Sequence, residues 1–265
     1  MKVTLRKPLA RPLAVGIQVA SVAAILLVWW LFTWGEAEKR ILSPLTLPSP
    51  AEMAAQIRSL WFESALSRST AWSLGRILLG FGLAAAVGIP LGILAGCFRS
   101  AESALAPPTV FLRNVPIAAL IPLTLVWFGL GEAQKVFFIF IACVGFVIFD
   151  TTRSILDVDE RYVETAYTLG AGDRHVISKV LIPLALPDIV NSLRLLFGLA
   201  FGYIVLAELI DAKHGLGHII QVAQRRGPRE HIYLVLVIIS LLGLGFDRLL
   251  LAMQKKLFPY RFAKD

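Results

Sequence analysis

Long, uninterrupted apolar segments constrain this chain more than any other feature. The first runs over about 15–34, and five more follow at about 69–97, 115–131, 135–152, 189–210 and 231–253. Segments of about 20 residues match the hydrocarbon core of a bilayer, whereas the strands of a membrane barrel would be short and of alternating polarity. Helices and closed barrels alone satisfy their backbone groups in lipid. The sequence therefore predicts an all-α, polytopic membrane protein with six transmembrane helices.

The composition agrees with a membrane protein. Of the 265 residues, 57% are hydrophobic and 17% charged, while soluble domains carry about 25% charged residues. The net charge of +8 indicates basic flanks of membrane helices rather than nucleic-acid binding. Two basic clusters flank the outermost spans: Lys2, Arg6, Lys7 and Arg11, then Lys255, Lys256, Arg261 and Lys264. The positive-inside rule and the even number of spans place both termini in the cytoplasm.

We divide the chain into three parts. Residues 1–68 hold the N-terminal tail, the first span and an external connection, 69–253 form the transmembrane domain, and 254–265 form a cytoplasmic tail. In the connection, Ser49 or Pro50 can start an amphipathic interfacial helix. Its apolar residues Met53, Ile57, Leu60 and Trp61 are expected on one face.

The second span contains a stripe of small residues. Gly88, Gly92 and Gly96 recur every four residues, which allows another helix to pack closely. Pro90 removes a backbone donor between them and is expected to kink the helix. Simple helix packing and a moving hinge are both compatible with this pattern.

The third span is predicted to be discontinuous. Four prolines prevent one straight helix: Pro107, Pro108, Pro116 and Pro122. Arg113 and Asn114 lie at a break, and a charge at membrane depth is a functional candidate. Arg113, Asn114 and Trp127 are therefore candidates for the translocation path or a gate. The alternative for Arg113 is a position at the cytoplasmic interface.

A polar insert at about 160–187 separates the fourth and fifth spans and is expected to face the cytoplasm. Gly170 and Gly172 would end a first helix, because glycine accepts the left-handed conformation found there. Asp173 is a suitable N-cap for a second helix, and Pro183 and Pro187 would stop that helix before span five. The predicted helix–glycine–helix is either a contact for another protein or simply a folded loop.

This insert resembles a motif of a known family. The stretch "ETAYTLGAGDRHVISKVLIP" follows the EAA loop pattern of bacterial ABC importer permeases, which is E-A-A, three residues, G, nine residues and I-x-L-P. Four residues match the pattern: Glu164, Ala166, Gly170 and Pro183. Similar residues replace three others: Thr165, Val180 and Ile182. The stretches "RNVPIAALIPLTLVWFGLGEAQK" and "VLAELIDAKHGLG" also look like the branch that serves taurine, aliphatic sulfonates, nitrate, bicarbonate and thiamine-precursor pyrimidines.

The resemblance implies a type I importer permease in the bacterial inner membrane. Two permease copies, expected to be identical, would form the path, and a periplasmic or lipoprotein binding protein would deliver the substrate. A cytoplasmic ABC ATPase dimer would hold ATP and magnesium, so no cofactor is expected in this chain. The resemblance places ATPase-coupling residues in the insert: Glu164, Ala166, Gly170, Ala171, Gly172 and Pro183, which ends the element.

Two rival functions are less compatible with the residues. The chain has no G-x-x-x-x-G-K-[ST] motif, so it is not expected to be an enzyme that hydrolyses ATP. His214 and His218 stand in a glycine-broken loop without a third ligand nearby, which does not favour a metal site. A stand-alone channel or ion-coupled transporter remains the alternative, although such proteins often have inverted repeats or several buried carboxylates.

Glu208 is predicted near the external end of span five, where a buried carboxylate needs a partner. It could pin the external loop or act in an outer gate. Three arginines fall in or beside spans: Arg76, Arg113 and Arg194. They agree with a small polar or anionic substrate such as a sulfonate, taurine, nitrate or bicarbonate, and the alternative is snorkelling or pairing with Asp150 or Asp188.

Overall fold

The computed structural model describes residues 9–36, 40–210 and 212–262, and these ranges contain helices but no β-strand. The α-helices of the described residues are α1 Arg11–Phe32, α2 Pro50–Ala55, α3 Ile57–Phe62, α4 Leu66–Cys97, α5 Arg99–Asn114, α6 Ile121–Phe128, α7 Glu132–Leu156, α8 Glu160–Thr168, α9 Asp173–Val176, α10 Ile182–Glu208, α11 Leu216–Arg226, α12 Glu230–Leu257 and α13 Pro259–Phe262. A 3₁₀ turn, Ile117–Leu120, precedes α6, and a π turn, Ile177–Leu181, joins α9 to α10. The predicted all-α class is confirmed.

Within the described residues, five helical segments are long and apolar enough to cross a membrane. They are Pro12–Phe32, Leu66–Cys97, Glu132–Leu156, Asp173–Glu208 and Glu230–Leu257. A sixth crossing is present if α5 and the segment Ile117–Phe128, which meet at a bend of 94°, count as one span. The predicted number of six agrees with this arrangement.

The discontinuous third span is confirmed, but its predicted bounds and breaks are partly wrong. The predicted range 115–131 holds only the second arm of the bent pair, while the first arm is α5. Pro107 and Pro108 lie inside α5 and do not break it, because a proline removes one backbone donor and the helix can continue around it. The break comes at Val115 and Pro116, directly after Asn114.

Close packing of α4 on α7 forms the centre of the bundle. A Cβ added to Gly88 would lie 2.7 Å from Val147 Cγ1, and one added to Gly92 would lie 2.5 Å from Thr151 Cβ. The two helices run parallel, since the contacts advance together along both chains. The small-residue stripe predicted for close packing is confirmed, and Pro90 lies within the continuous helix α4.

Short helices lie at the two ends of the bundle. The α2–α3 end carries α2, α3 and α11, together with the start of α4, α7 and α12; the α8–α9 end carries α8 and α9. At the first end, α2 starts at Pro50 after a Ser49 N-cap, as predicted. The expected single apolar face is wrong: Met53 and Leu60 are buried, but Ile57 and Trp61 are exposed. The chain breaks at Gln56 into two short helices, which rotates the second face away from the first.

Candidate functional site

The insert folds as two helices joined by a tight glycine turn at the α8–α9 end. The amide of Ala171 donates to Ala166 O at 3.0 Å, and that of Gly170 donates to Tyr167 O at 2.9 Å. This pair of hydrogen bonds is the Schellman motif, which needs a left-handed residue at its centre. Gly170 supplies that residue with φ of 82°. The predicted role of Gly170 in ending the first helix is confirmed.

The second helix starts one residue earlier than predicted. Gly172, with φ of −84°, is its N-cap, and Asp173 is the first helical residue, so the expected capping role of Asp173 is wrong. Asp173 instead links the two helices, because its Oδ1 accepts a hydrogen bond from Tyr167 Oη at 3.0 Å. This hydrogen bond raises the pKa of Tyr167 above its ordinary value.

The expected stop at Pro183 and Pro187 is also wrong. The helix runs without a break from Asp173 to Glu208, with Pro183 in the first turn of α10 and Pro187 inside it. The π turn that precedes Pro183 changes the hydrogen-bond pattern where the proline lacks a donor. Pro187 O accepts a hydrogen bond from Gln254 Nε2 at 3.2 Å. One continuous helix therefore connects the insert to the opposite end of the bundle.

The surface of the insert combines charge with exposed apolar side chains. Leu169 is 82% exposed, and Tyr162 is also exposed. Glu164 is exposed, and its carboxylate makes no hydrogen bond or ion pair with another described residue. Ala171 is half-buried and Gly172 exposed. A fixed turn that presents a leucine to solvent is the geometry of a surface that contacts another protein.

Glu208 lies at the opposite end of the continuous helix and is completely buried, with 0% exposure. Ser73 Oγ lies 2.8 Å from each carboxylate oxygen, and Arg76 Nη1 donates to Oε1 at 2.7 Å. The amide of Gly217 donates to Oε2 at 2.9 Å. Burial of a carboxylate is costly unless such donors satisfy it. These contacts favour the anchor interpretation of Glu208 over the gate.

Arg76 extends this cluster to a second carboxylate. Its Nε and Nη2 donate to the two oxygens of Glu132 at 2.5 and 2.6 Å, and Nη1 also donates to His214 O at 2.7 Å. The cluster therefore joins α4, the start of α7, the end of α10 and the loop that leads into α11.

The loop beside Glu208 is shaped around the carboxylate. Gly215 has φ of 135°, and an added Cβ would lie 2.4 Å from Glu208 Cδ. A side chain at this position would displace the anchor itself. His214 lies in this loop, but His218 lies in α11, so the loop position predicted for His218 is wrong. Both line a pocket that also contains His231, and the described residues include no group of three metal-ligating side chains placed to hold an ion.

Arg113 and Asn114 end the first arm of the bent span, immediately before the bend. The guanidinium of Arg113 lies over two rings of α7, with Cζ 3.6 Å from the ring centroid of Phe149 and 5.4 Å from that of Phe146. Trp127 lies on the other arm. Its ring and that of Phe137 make an edge contact, with their centroids 6.2 Å apart. The structure thus separates the candidates for the path: Arg113 and Asn114 adjoin the bend, and Glu208 lies at the α2–α3 end.

Arg194 is paired, but not with the partners expected for it. Its Nε lies 3.1 Å from Asp247 Oδ1, and Asp188 instead binds Arg261. The alternative of pairing with an acid therefore holds for Arg194, but the acid is Asp247 rather than either of the two named, because α12 packs against α10.

Two partners in the Glu208 cluster were not identified from the sequence. Ser73 precedes Arg76 by three residues, which places both on one helix face. Glu132 opens the fourth span at the same depth as Arg76 and Glu208. The available signal was that charged residues of opposite sign stand at the same ends of different spans. A buried charge requires an opposite one, so these residues were candidates for pairing.

Known proteins are similar to this chain in sequence and in fold. A family model described as "Binding-protein-dependent transport system inner membrane component" matches residues 88–259. A Brucella abortus (strain 2308) relative named a probable ABC transporter permease protein is 35% identical over 252 residues, which are 95% of this chain and 98% of the relative. The taurine transport system permease protein TauC of Escherichia coli (strain K12) is 31% identical over 260 residues, 96% of this chain and 92% of TauC.

A solved structure agrees with the fold. An inward-facing form of the MetNI methionine ABC transporter has a TM-score of 0.57 and 21% sequence identity, and the match covers 77% of this chain and 98% of that chain. At this identity the similarity concerns the arrangement of the helices.

Proposed function

The chain belongs to the family of binding-protein-dependent transport system inner membrane components, and from this premise we propose that its α8–α9 loop couples transport to an ATPase. The chain is a multi-pass inner-membrane permease subunit of an ABC importer, and a separate ATPase subunit hydrolyses ATP. The resemblance expected from the sequence is confirmed. No observation favours the stand-alone channel or ion-coupled transporter.

The exposed apolar surface of the loop carries the coupling proposal. Leu169 and Tyr162 are exposed on a loop that also carries charged side chains, and such apolar side chains on a fixed turn fit a groove of another protein. The Schellman motif at Gly170 and the bond between Tyr167 and Asp173 hold the turn in one shape. An ATPase that grips this loop would act directly on the continuous helix Asp173–Glu208, which is about 50 Å long.

Individual loop residues take distinct roles in this proposal. Glu164 offers an unpaired carboxylate to a basic group of the ATPase. Ala166, Ala171 and Gly172 leave room for close approach, since none has a bulky side chain. Pro183 lies in the first turn of α10, where it joins the loop to the span rather than ending the coupling element.

We further propose that two copies of this chain form the translocation path. The hydrophobic window of α1 has no residue buried within one chain, and only 11% of that of α12 is buried. Val126 on the second arm of the bent span is 81% exposed. Lipid and a second copy can cover these surfaces, and a path for a polar solute requires walls on all sides. The family implies that the ATPase and a substrate-binding protein complete the assembly.

The orientation follows from the loop. An ATPase is cytoplasmic, so the α8–α9 end would face the cytoplasm and both chain termini would lie on that side. The basic residues at and after the C-terminal end of α12, Lys255, Lys256 and Arg261, agree with this orientation, whereas Arg225, Arg226 and Arg229 before α12 do not. The α2–α3 end would then face the binding protein. We propose a small anionic solute of the sulfonate type as substrate, which the relative named for taurine transport supports.

Co-purification tests the coupling role. Membranes that contain the permease, its ATPase and its binding protein are solubilised, and the ATPase retained by a tagged permease is measured together with ATP-dependent taurine uptake. Leu169→Glu should lose the ATPase and uptake while the permease still inserts. Leu45→Glu is the matched control, because Leu45 is an exposed leucine in the loop before α2, at the opposite end. Full ATPase retention by Leu169→Glu would exclude this loop as the contact.

A further inference from the structure

The structure separates the three membrane arginines by how their charges are satisfied. Arg76 binds Glu132 and Glu208, and Arg194 is paired with Asp247. Arg113 forms no ion pair or hydrogen bond with another described residue, and its Nε, like that of Arg194, is buried without a hydrogen-bond partner. Its contacts are the faces of two phenylalanines.

The position of Arg113 lies within the membrane-spanning part of the bundle. Its guanidinium rests on Phe149, and α7 continues for seven residues from there to Leu156, which is about 10 Å at 1.5 Å per residue. A Cβ added to Gly145 would lie 2.8 Å from Leu112 Cβ, which fixes the end of α5 near the middle of α7. Arg113 thus lies beside the last apolar turn of α7, directly before the polar residues Asp150 and Arg153.

Asp150 is an acidic residue next to Phe149 in the chain and is half-buried. It interacts electrostatically with Arg113 but does not approach within the 4.0 Å of an ion pair. Asp150 can therefore moderate the charge of the guanidinium without occupying its N–H groups.

An unpaired guanidinium at this depth is too costly to face lipid. It is tolerated where water or another protein chain covers it, and irregular backbone at membrane depth has the same requirement. Both conditions meet at the bend, where Arg113 is followed by the non-helical residues Val115 and Pro116. The bend must therefore face the aqueous path or the second copy.

We propose that Arg113 is an anion-binding position of the translocation path, for a solute that carries a sulfonate or carboxylate group. The proposal rests on the permease function proposed above. Stacking on Phe149 engages the face of the guanidinium and leaves its edge for an oxyanion, which Arg binds with two parallel N–H donors. Two carboxylates engage Arg76 and one engages Arg194, so Arg113 alone of the three has no carboxylate partner among the described residues.

Charged thiol reagents test this position without a known substrate. Cys97 and Cys143 are replaced by alanine, and Asn114→Cys introduces one exposed thiol beside Arg113 in membranes that contain the whole transporter. The rates of modification by sulfonatoethyl and trimethylammonioethyl methanethiosulfonate are then compared. We expect faster reaction with the anionic reagent, and Arg113→Gln should lower the anionic-to-cationic rate ratio by about tenfold.

Arg194→Gln is the matched control and should leave the ratio unchanged, because this arginine lies on another helix and is already paired. Asp150→Asn should raise the ratio, since it removes the opposing charge. If Arg113 only balances Asp150 inside the protein, Arg113→Gln should lower the melting temperature and the added Asp150→Asn should restore it. Three results would each overturn the proposal. They are this rescue, a thiol at position 114 that does not react, and a rate ratio that Arg113→Gln leaves unchanged.

Uptake supplies a second readout with taurine as the probe. Arg113→Gln should reduce uptake at low taurine by about tenfold or more, the loss expected for a charge-assisted hydrogen bond, and Arg113→Lys should retain part of it. ATPase retention is measured in the same samples. If the wild-type protein retains no ATPase, the permease function is refuted. If it retains the ATPase but its thiol reacts equally with the anionic and cationic reagents, only the anion site is refuted.

Discussion

Arg76 on α4 and Glu208 at the end of α10 form a buried ion pair, with Nη1 2.7 Å from Oε1, although 132 residues separate them in the chain. Glu132 and the backbone of His214 bind the same arginine. One guanidinium therefore fixes the ends of three spans and the following loop. These contacts tie this end of the bundle together, while the helix that ends at Glu208 begins in the exposed α8–α9 loop at the other end.

Glu208→Gln should destabilise the permease. The carboxylate accepts from Ser73, Arg76 and Gly217 with two oxygens, whereas the amide offers one oxygen and an unwanted donor. Arg76 keeps its ion pair with Glu132. We therefore expect the free energy of unfolding to fall by about 2–3 kcal/mol, at the low end for a broken buried pair. The melting temperature of the solubilised protein should fall by about 5–10 °C.

Glu132→Gln is the control for this change. Its side chain is half exposed, so its ion pair with Arg76 is worth less and its loss should cost about 1 kcal/mol. The anchor interpretation also expects normal uptake per folded complex in Glu208→Gln. A stable variant with altered transport would instead support a gate.

The sequence predicted the spans and the coupling loop because both depend on local signals. Apolar length identifies membrane helices, and Gly170 identifies a helix end through its backbone freedom. Proline was less informative. Pro107 and Pro187 lie inside helices, because each removes one backbone donor and the helix continues around it. Local rules therefore placed too many breaks.

The partners of buried charges could not be read from the sequence. Glu208 was recognised as needing a partner, but the choice among the basic residues depends on how α4, α7 and α10 pack. The same packing decides that Arg194 meets Asp247 and leaves Arg113 unpaired. Pairing at a distance is a tertiary property, so the candidate for the path became distinct only in the structure.

Gly170→Val should weaken the attachment of the ATPase. Gly170 has φ of 82°, and a β-branched residue there costs at least about 1–2 kcal/mol, which favours another shape of the turn. A loss of this size should reduce ATPase retention by about tenfold, measured by co-purification. Gly35→Val is the control, because Gly35 has φ of 106° near the α2–α3 end and an added Cβ there meets no atom within 4 Å. Equal retention by both variants would show that the turn geometry is unimportant for coupling.

The ion pair of Arg40 with Glu52 should make the α2–α3 end sensitive to acid. The Arg40 guanidinium, aided by the Ser49 cap, lowers the pKa of Glu52 to about 2. A lowered carboxyl pKa stabilises the folded state above the unfolded pKa of about 4.5, and this contribution is lost as the pH falls towards 2. Because the Glu52 side chain is 34% exposed, we discount the effect to about 1 kcal/mol.

The melting temperatures of wild type and Glu52→Gln should therefore differ at pH 7. The difference should shrink as the pH falls below about 4 and disappear towards pH 2. Glu63→Gln serves as a control in the neighbouring helical segment, because Glu63 forms no ion pair with another described residue. A difference between wild type and Glu52→Gln that stays constant down to pH 3 would contradict the lowered pKa.

The packing of α4 on α7 leads to opposite predictions for two glycines of one helix. An added Cβ at Gly92 would lie 2.5 Å from Thr151 Cβ and 2.8 Å from the backbone oxygen of Ile148, so the helices must separate. Gly92→Ala should therefore cost about 1–3 kcal/mol by overpacking. Gly82 has no atom within 4 Å of an added Cβ, and Gly82→Ala should stabilise the helix by up to about 1 kcal/mol. Melting temperatures that move in the same direction for both variants would contradict the contact between α4 and α7.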